Sequence, residues 1–220
     1  MKFIYLSHVL DETTPVYGNG ASLTREQGNR MAAGDSCNTQ VWHLSNHIGT
    51  HVDAPRHFCR DGAFLDDYPA DFWICSSVFC LEAGDIGSGD IVSASCLTLD
   101  AVPEDIDLLL IKTGFGDLRG RHEYMMENPG FDPDMAEGLR SRFPNLKMIG
   151  FDSISLSSFA SRPLGRIAHK AFLDHERPIL IIEDMDLTQI NQGGAVREAA
   201  VVPVRVRNSD AAPCTIIARI

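Results

Sequence analysis

The sequence predicts an α/β fold, a mixed sheet with helices in a single domain spanning residues 1–220. Three observations predict it. Four short runs are apolar on both faces, as parallel strands covered on two sides tend to be. Helix signals lie between some of those runs. Two more strand-like runs close the chain, and they point to an antiparallel portion of the sheet.

Taken in order, the start MKFIYLSHVLDETTP has one Lys and an apolar stretch broken by Ser7 and His8, a poor secretory signal. Residues 42–58 (WHLSNHIGTHVDAPRHF) have strand-like composition, but Gly49 and Pro55 prevent one regular element. The four buried strands are expected at 77–83, 107–114, 146–152 and 178–184. Segment 115–131 is long and irregular, and such segments often cover sites. Asp132 and Pro133 read as an N-cap followed by Pro at the first helical position. Met135, Leu139 and Phe143 then recur every four residues. A second helix is expected to open at Ser161, with Pro163 in its first turn and Leu164, Ala168 and Phe172 on its apolar face. Runs 200–206 and 214–220 read as two strands joined by a polar turn at Asn208-Ser209-Asp210. Pro203 predicts an edge position for the first.

Composition excludes several classes. The net charge of −11 argues against nucleic acid and anionic membrane surfaces, which both demand Lys and Arg. All of it sits in residues 1–110, with 16 acidic against 5 basic side chains; residues 111–220 balance at 14 each. Any cationic ligand is therefore to be sought first in the N-terminal half. No apolar run approaches the roughly 20 residues that span a bilayer. Six cysteines without CxxC pairs read as buried reduced thiols, and a cytoplasmic location is expected.

The histidines carry the chemistry. Of eight in the chain, His43, His47, His51 and His57 fall within 15 residues, with Asp53 among them. Two histidines four apart lie ~13 Å apart in a flat strand, at the limit of their combined reach. A helical turn brings them to about 6 Å but rotates Asp53 away. A bend satisfies all three, and Gly49 permits one. Imidazole plus carboxylate suits Zn²⁺ and also Mn²⁺. His47, His51 and Asp53 are thus the candidate metal ligands. A structural role is expected for His43, and none in function for His8 or His122. His169 sits on the flank of the second helix. Glu183 ends the run ILIIE, where a buried unpaired carboxylate would cost several kcal/mol and must find water, a cation or a metal.

HIGTHVDAPRHF resembles the signature of the cyclase / kynurenine formamidase family of metal-dependent hydrolases, which includes isatin hydrolase. LSHVLDETTPVY, IKTG at 111–114, GFDSISL at 150–156 and AHKAFL…ILIIEDMDL at 168–187 follow in the family's order. The resemblance implies a swivelling β/β/α fold and a homo-oligomer, dimer or tetramer. It implies one or two divalent ions, zinc foremost and manganese second. His47, His51 and Asp53 would bind the first, while Asp53 and Glu183 would bridge to a second that His169 completes. It makes His57 the proton donor and acceptor and puts Tyr17 where relatives pack a tryptophan on the substrate ring. Three positions depart from the family pattern: Tyr5 before Leu6-Ser7, Gly18-Asn19 after the aromatic, and a longer interval from His169 to Glu183.

The function expected is hydrolysis of a carbon–nitrogen bond, by metal-activated water, in a small and partly aromatic amide. Tyr17, Phe115 and segment 115–131 are expected to shape the pocket. The alternatives are a metal-dependent cyclase or lyase on a carbonyl substrate, or a non-catalytic binding protein on the same scaffold. No G-x-S-x-G elbow, P-loop or G-x-G-x-x-G is present. Cys59 is too close to His57 in sequence to make a good nucleophile–base pair.

Overall fold

In the computed structural model, which describes residues 2–191, 193 and 196–220, the four apolar runs lie side by side as parallel strands. In chain order the strands are β1 (Phe3–Tyr5), β2 (Thr24–Gln27), β3 (Gln40–His43), β4 (His51–Asp53), β5 (Ile74–Cys75), β6 (Val78–Glu82), β7 (Ile91–Val92), β8 (Leu108–Lys112), β9 (Gly130–Phe131), β10 (Met148–Phe151), β11 (Leu180–Glu183), β12 (Glu198–Pro203) and β13 (Ala211–Arg219). The helices are α1 (His122–Met126), α2 (Asp134–Arg142) and α3 (Arg162–Leu173).

The main sheet runs β5-β12-β13-β4-β11-β10-β8-β6, with β1 also on β13. Parallel pairing holds from β6 to β11. It turns antiparallel at β4 and stays so through β13, β12 and β5. The long strand β13 joins the two portions. Its first three residues pair with β4, and its last three pair with β1. The terminal strands expected from the sequence are therefore present. Because β5 covers only Ala199 and Ala200, β12 is an outer edge beyond them, which is where Pro203 stands.

Alternation along the parallel strands builds two cores. Leu108, Leu110, Met148 and Ile182 pack with Ile4, Val201 and Ile216, so the antiparallel strands fold over one face. Leu109, Ile111, Ile149 and Ile181 pack with Met135, Leu139, Ala168 and Phe172, so α2 and α3 cover the other. This is a β/β/α layering. Each fully buried Leu or Ile contributes about 1.5–3 kcal/mol, which is why apolar runs buried on both faces dominate the fold. Helix α2 begins at Asp134, with Asp132 Oδ1 accepting from the Asp134 N–H. Helix α3 begins at Arg162 with Pro163 in its first turn, as the composition predicts.

The carboxyl ends of β8, β10 and β11 lie together, the usual ligand end of such sheets. Asp152, just past β10, ties them by accepting from the Thr113 N–H and Oγ1 at 2.7 and 2.6 Å. All six cysteines are free thiols, but only Cys75, Cys80 and Cys214 are buried. Cys37 is exposed, which corrects the expectation of a uniformly buried set. Among the described residues no helix is long and apolar enough to cross a membrane.

Candidate metal centre

The centre is assembled by one bend and two strand registers. Gly49 has φ +60, and a Cβ there would fall 2.2 Å from Leu10 Cδ2, so the bend is suited to glycine on both counts. It brings the His47 and His51 rings to 5.3 Å between centroids. His51 and Asp53, two apart on β4, then share a face. The β4–β11 register sets Glu183 opposite His51. The turn that starts at Pro55 carries His57 back to 4.1 Å from the His47 ring. His169 arrives from α3. Its close approach requires Gly165, whose Cβ would lie 2.1 Å from Ser157 Oγ.

All of these side chains converge on Asp53. His47 Nδ1 lies 3.0 Å and His51 Nε2 3.5 Å from Oδ1. His169 Nε2 lies 3.7 Å from Oδ2. Glu183 stands 3.4 Å from both His51 Nε2 and His169 Nε2. Outer partners aim the rings. His51 Nδ1 lies 2.8 Å from the Gly49 carbonyl, and His169 Nδ1 lies 2.9 Å from that of Gly165. Each bond leaves Nε2 directed at the carboxylates, the usual way a protein orients metal-ligating imidazoles. Glu183 is held in turn by the Leu156 N–H at 2.7 Å and by Ser155 Oγ at 3.2 Å.

Polar atoms here are left over. Both Asp53 oxygens and His51 Nε2 are buried without a hydrogen bond, although they sit at ion-pair distance from one another. Buried charge in that condition costs several kcal/mol, and a cation at the convergence point removes the cost. Two triads of ligand atoms lie within 4.8 Å of one another: His51, Asp53 and Glu183, and His47, Asp53 and His57. Nitrogen and carboxylate donors without thiolate fit a borderline or hard divalent ion. The residues present therefore fit a metal, with Asp53 common to both triads.

Charge and burial divide the cluster. Side chains of His51, Asp53, Glu183 and His169 are 1–6% exposed; those of His47, His57 and Asp210 are 25–35% exposed. Burial favours the neutral acid at Asp53 and Glu183, but the surrounding histidines outweigh it and hold both carboxyls below their ordinary range. Burial likewise opposes charge on His51, yet Glu183 and Asp53 push it up to about 9. His57 goes the other way. Burial lowers it, and the neighbouring His47 and His169 add to the effect.

Asp210 is the residue that sequence reasoning missed. Its Oδ2 lies 3.2 Å from both His47 Nε2 and His57 Nδ1. It stands at the mouth of β13, where its carbonyl accepts from the Ala54 N–H. The sequence marked it only as part of a polar turn. Arg162 and Arg166 also went unremarked, and both line the cleft of about 260 Å³ over the centre, with Tyr17, Phe58 and Asp184.

The other expectations divide. Tyr17 does line the cleft, but Phe115 and segment 115–131 do not; they pack behind it. Phe115 and Tyr124 are buried with Ile154. Arg119 donates twice to Asp184 at 2.8 Å, and Tyr124 donates to the same carboxylate. A segment with this much apolar and charged anchoring is a support, not a lid. His43 stands on exposed β3 and pairs with Glu26, outside the cleft. His8 and His122 also lie outside it. Cys59 faces Asp174 and Asp61 and does not meet His57.

Comparison with known proteins shows the family and the fold. A kynurenine formamidase from Delftia acidovorans is 24% identical over 214 residues, covering 97% of this chain and 95% of its own. The structure of isatin hydrolase A from Labrenzia aggregata, bound to benzyl benzoate, superposes with TM-score 0.78 at 20% identity, over 99% of this chain and 93% of that one. A potential metal-dependent hydrolase with cyclase activity superposes with TM-score 0.77 at 20% identity, over 99% and 96%. The family model described as putative cyclase matches residues 4–158, and the chain belongs to that family.

Proposed function

We propose that this protein is a metal-dependent amidohydrolase that cleaves the carbon–nitrogen bond of a small aromatic formamide or cyclic amide. The observation that carries it is the orphaned Asp53 carboxylate beside a carboxylate-oriented histidine, His57 on Asp210. His47, His51 and Asp53 would hold one divalent ion; Asp53, Glu183 and His169 would hold a second. Zinc is the first choice and manganese the next for such a donor set. A bound ion of this kind would supply a Lewis acid and lower the pKa of its water to about 7.

The chain's own residues manage the protons. Asp210 accepts from His57 Nδ1–H, fixes the tautomer and leaves Nε2 as the free nitrogen. Burial holds the His57 pKa below the ordinary imidazole value, which favours the neutral ring that can take a proton from the attacking water. It then returns that proton to the leaving nitrogen, without which an amide anion would have to depart. Tyr17 and Phe58 offer aromatic walls to the substrate ring.

A second reading makes His57 a metal ligand, because its nitrogen lies within reach of His47 and Asp53. His57→Ala separates the two readings. The proton role expects metal content to hold while hydrolysis falls; the ligand role expects one ion to be lost. The function itself is tested by a hydrolysis screen of metal-reconstituted protein on N-formylkynurenine, isatin and simple cyclic amides. Turnover abolished by chelation is expected, and activity unaffected by full metal removal overturns the proposal. Self-association also belongs to this reading. Exposed Tyr5, Trp42, Val202 and Val204 line one apolar groove, and light scattering that returns only a 24.2 kDa species would remove it.

A further inference from the structure

The cleft is lined by side chains of both charges. Asp53 and Glu183 of the metal centre are among them. Arg162 and Arg166 are the cationic side chains of the same cleft. They share the face of α3 that presents His169, because positions 162, 166 and 169 follow the helical repeat. At 1.5 Å of rise per residue, Arg166 sits about 4.5 Å and Arg162 about 10.5 Å along the axis from His169. Side chains four apart on a helix are neighbours, so both guanidiniums can reach one group.

Neither arginine is neutralised by the protein. Among the described residues no carboxylate pairs with either, whereas Arg25, Arg119, Arg140, Arg142 and Arg219 all have acidic partners. Arg162 instead stacks over the Phe159 ring at 5.3 Å. The Tyr17 hydroxyl, in the same cleft, is buried beside Arg162, near enough for its oxygen to accept from the guanidinium, and its own proton meets no acceptor. Two guanidiniums without a carboxylate and a phenol whose proton meets no acceptor line one cleft, a donor set that lacks an anion.

We propose that Arg162 and Arg166, with the Tyr17 hydroxyl, form an anion subsite that binds a carboxylate on the substrate, one to two helical turns from the bond that is cleaved. A planar carboxylate matches the guanidinium fork, and bidentate pairing fixes orientation as well as adding affinity. The substrate class is thereby narrowed to an aromatic formamide or cyclic amide carrying a remote carboxylate. This rests on the cleft being the hydrolytic site proposed above.

The test compares formanilide, which is neutral, with 4-formamidobenzoate, which carries the remote carboxylate, on the metal-loaded protein. The subsite predicts that kcat/KM favours 4-formamidobenzoate and that the preference lies in KM. Arg162→Gln/Arg166→Gln is expected to reduce the ratio of the two kcat/KM values about 10- to 100-fold, the worth of a charge-assisted hydrogen-bond pair. Arg166→Lys, which keeps charge but loses the fork, should fall between. Equal kcat/KM for the two substrates in wild type, or an unchanged ratio in the double variant, overturns the subsite. Calorimetric binding of 4-formamidobenzoate to wild type and double variant separates the two proposals. If neither compound is hydrolysed but the wild type binds it about 10-fold or more tighter, the subsite stands and the hydrolase reading fails. If binding is equal, the subsite fails whatever the turnover.

Discussion

Asp53 has a dry side and a wet side, and the two are built for different tasks. On the dry side His51, Glu183 and His169 are almost sealed, each ring locked by a backbone carbonyl. On the wet side His47 and His57 share one oxygen of Asp210 and remain a quarter exposed. Burial strengthens charge pairing and excludes competing water, which suits the holding of an ion. Partial exposure keeps an imidazole in exchange with solvent, which suits the movement of protons. One carboxylate borders both environments, so the proposed ion capture and proton transfer would meet at a single residue.

The strongest way to break this division is to remove what both sides share. Asp53→Ala is expected to abolish metal uptake and to bring hydrolysis down to the level of the chelated protein; elemental analysis and turnover check it. A retained full metal complement would show that the two sides are independent. On the wet side alone, His57→Ala should keep the metal and lower kcat by about 10²–10⁴, the usual worth of general acid–base catalysis. Asp210→Asn, which spares both imidazoles but weakens the anchor that His57 and His47 share, should cost about 10- to 100-fold in kcat, read by steady-state turnover.

Two smaller effects sharpen the contrast. In chelated protein the charged His51 is stabilised, since its pKa rises from 6.5 to about 9 on folding. Its contribution is fully present below pH 6.5 and is lost as pH climbs to 9. The melting temperature of metal-free protein should therefore fall over that interval. Metal-loaded protein should not follow, because metal binding requires the neutral imidazole and strengthens with pH. Scanning calorimetry of both forms at pH 6.5 and 9 decides it. Smallest is Gly49→Ala, expected to cost about 1–2 kcal/mol of stability for a left-handed alanine, read by denaturant melts.

Much of the dry side was legible because its signals are local. A glycine between two histidines announces a bend that can gather both with Asp53. Glu183 stood out as a carboxylate closing an apolar run. Asp210 carried no such signal. Its value comes from β13 lying beside β4, a pairing 158 residues apart, and no local pattern encodes that distance. Segment 115–131 misled for a related reason. Its irregularity suggested a cover, but Phe115, Arg119 and Tyr124 each find a partner that lies far along the chain or across the core. Arg162 and Arg166 carry no local signal either, and only the fold sets them on the cleft.

The sequence by itself determined the α/β pattern, the bend at Gly49 and the candidate ligands His47, His51 and Asp53. Those depend on side-chain period, backbone freedom and donor chemistry, which are properties of neighbouring residues. Tertiary structure alone decided which histidine is wet, which carboxylate orients it and which arginines share its cleft. Burial and strand register set those relations, and both exist only once distant segments have packed.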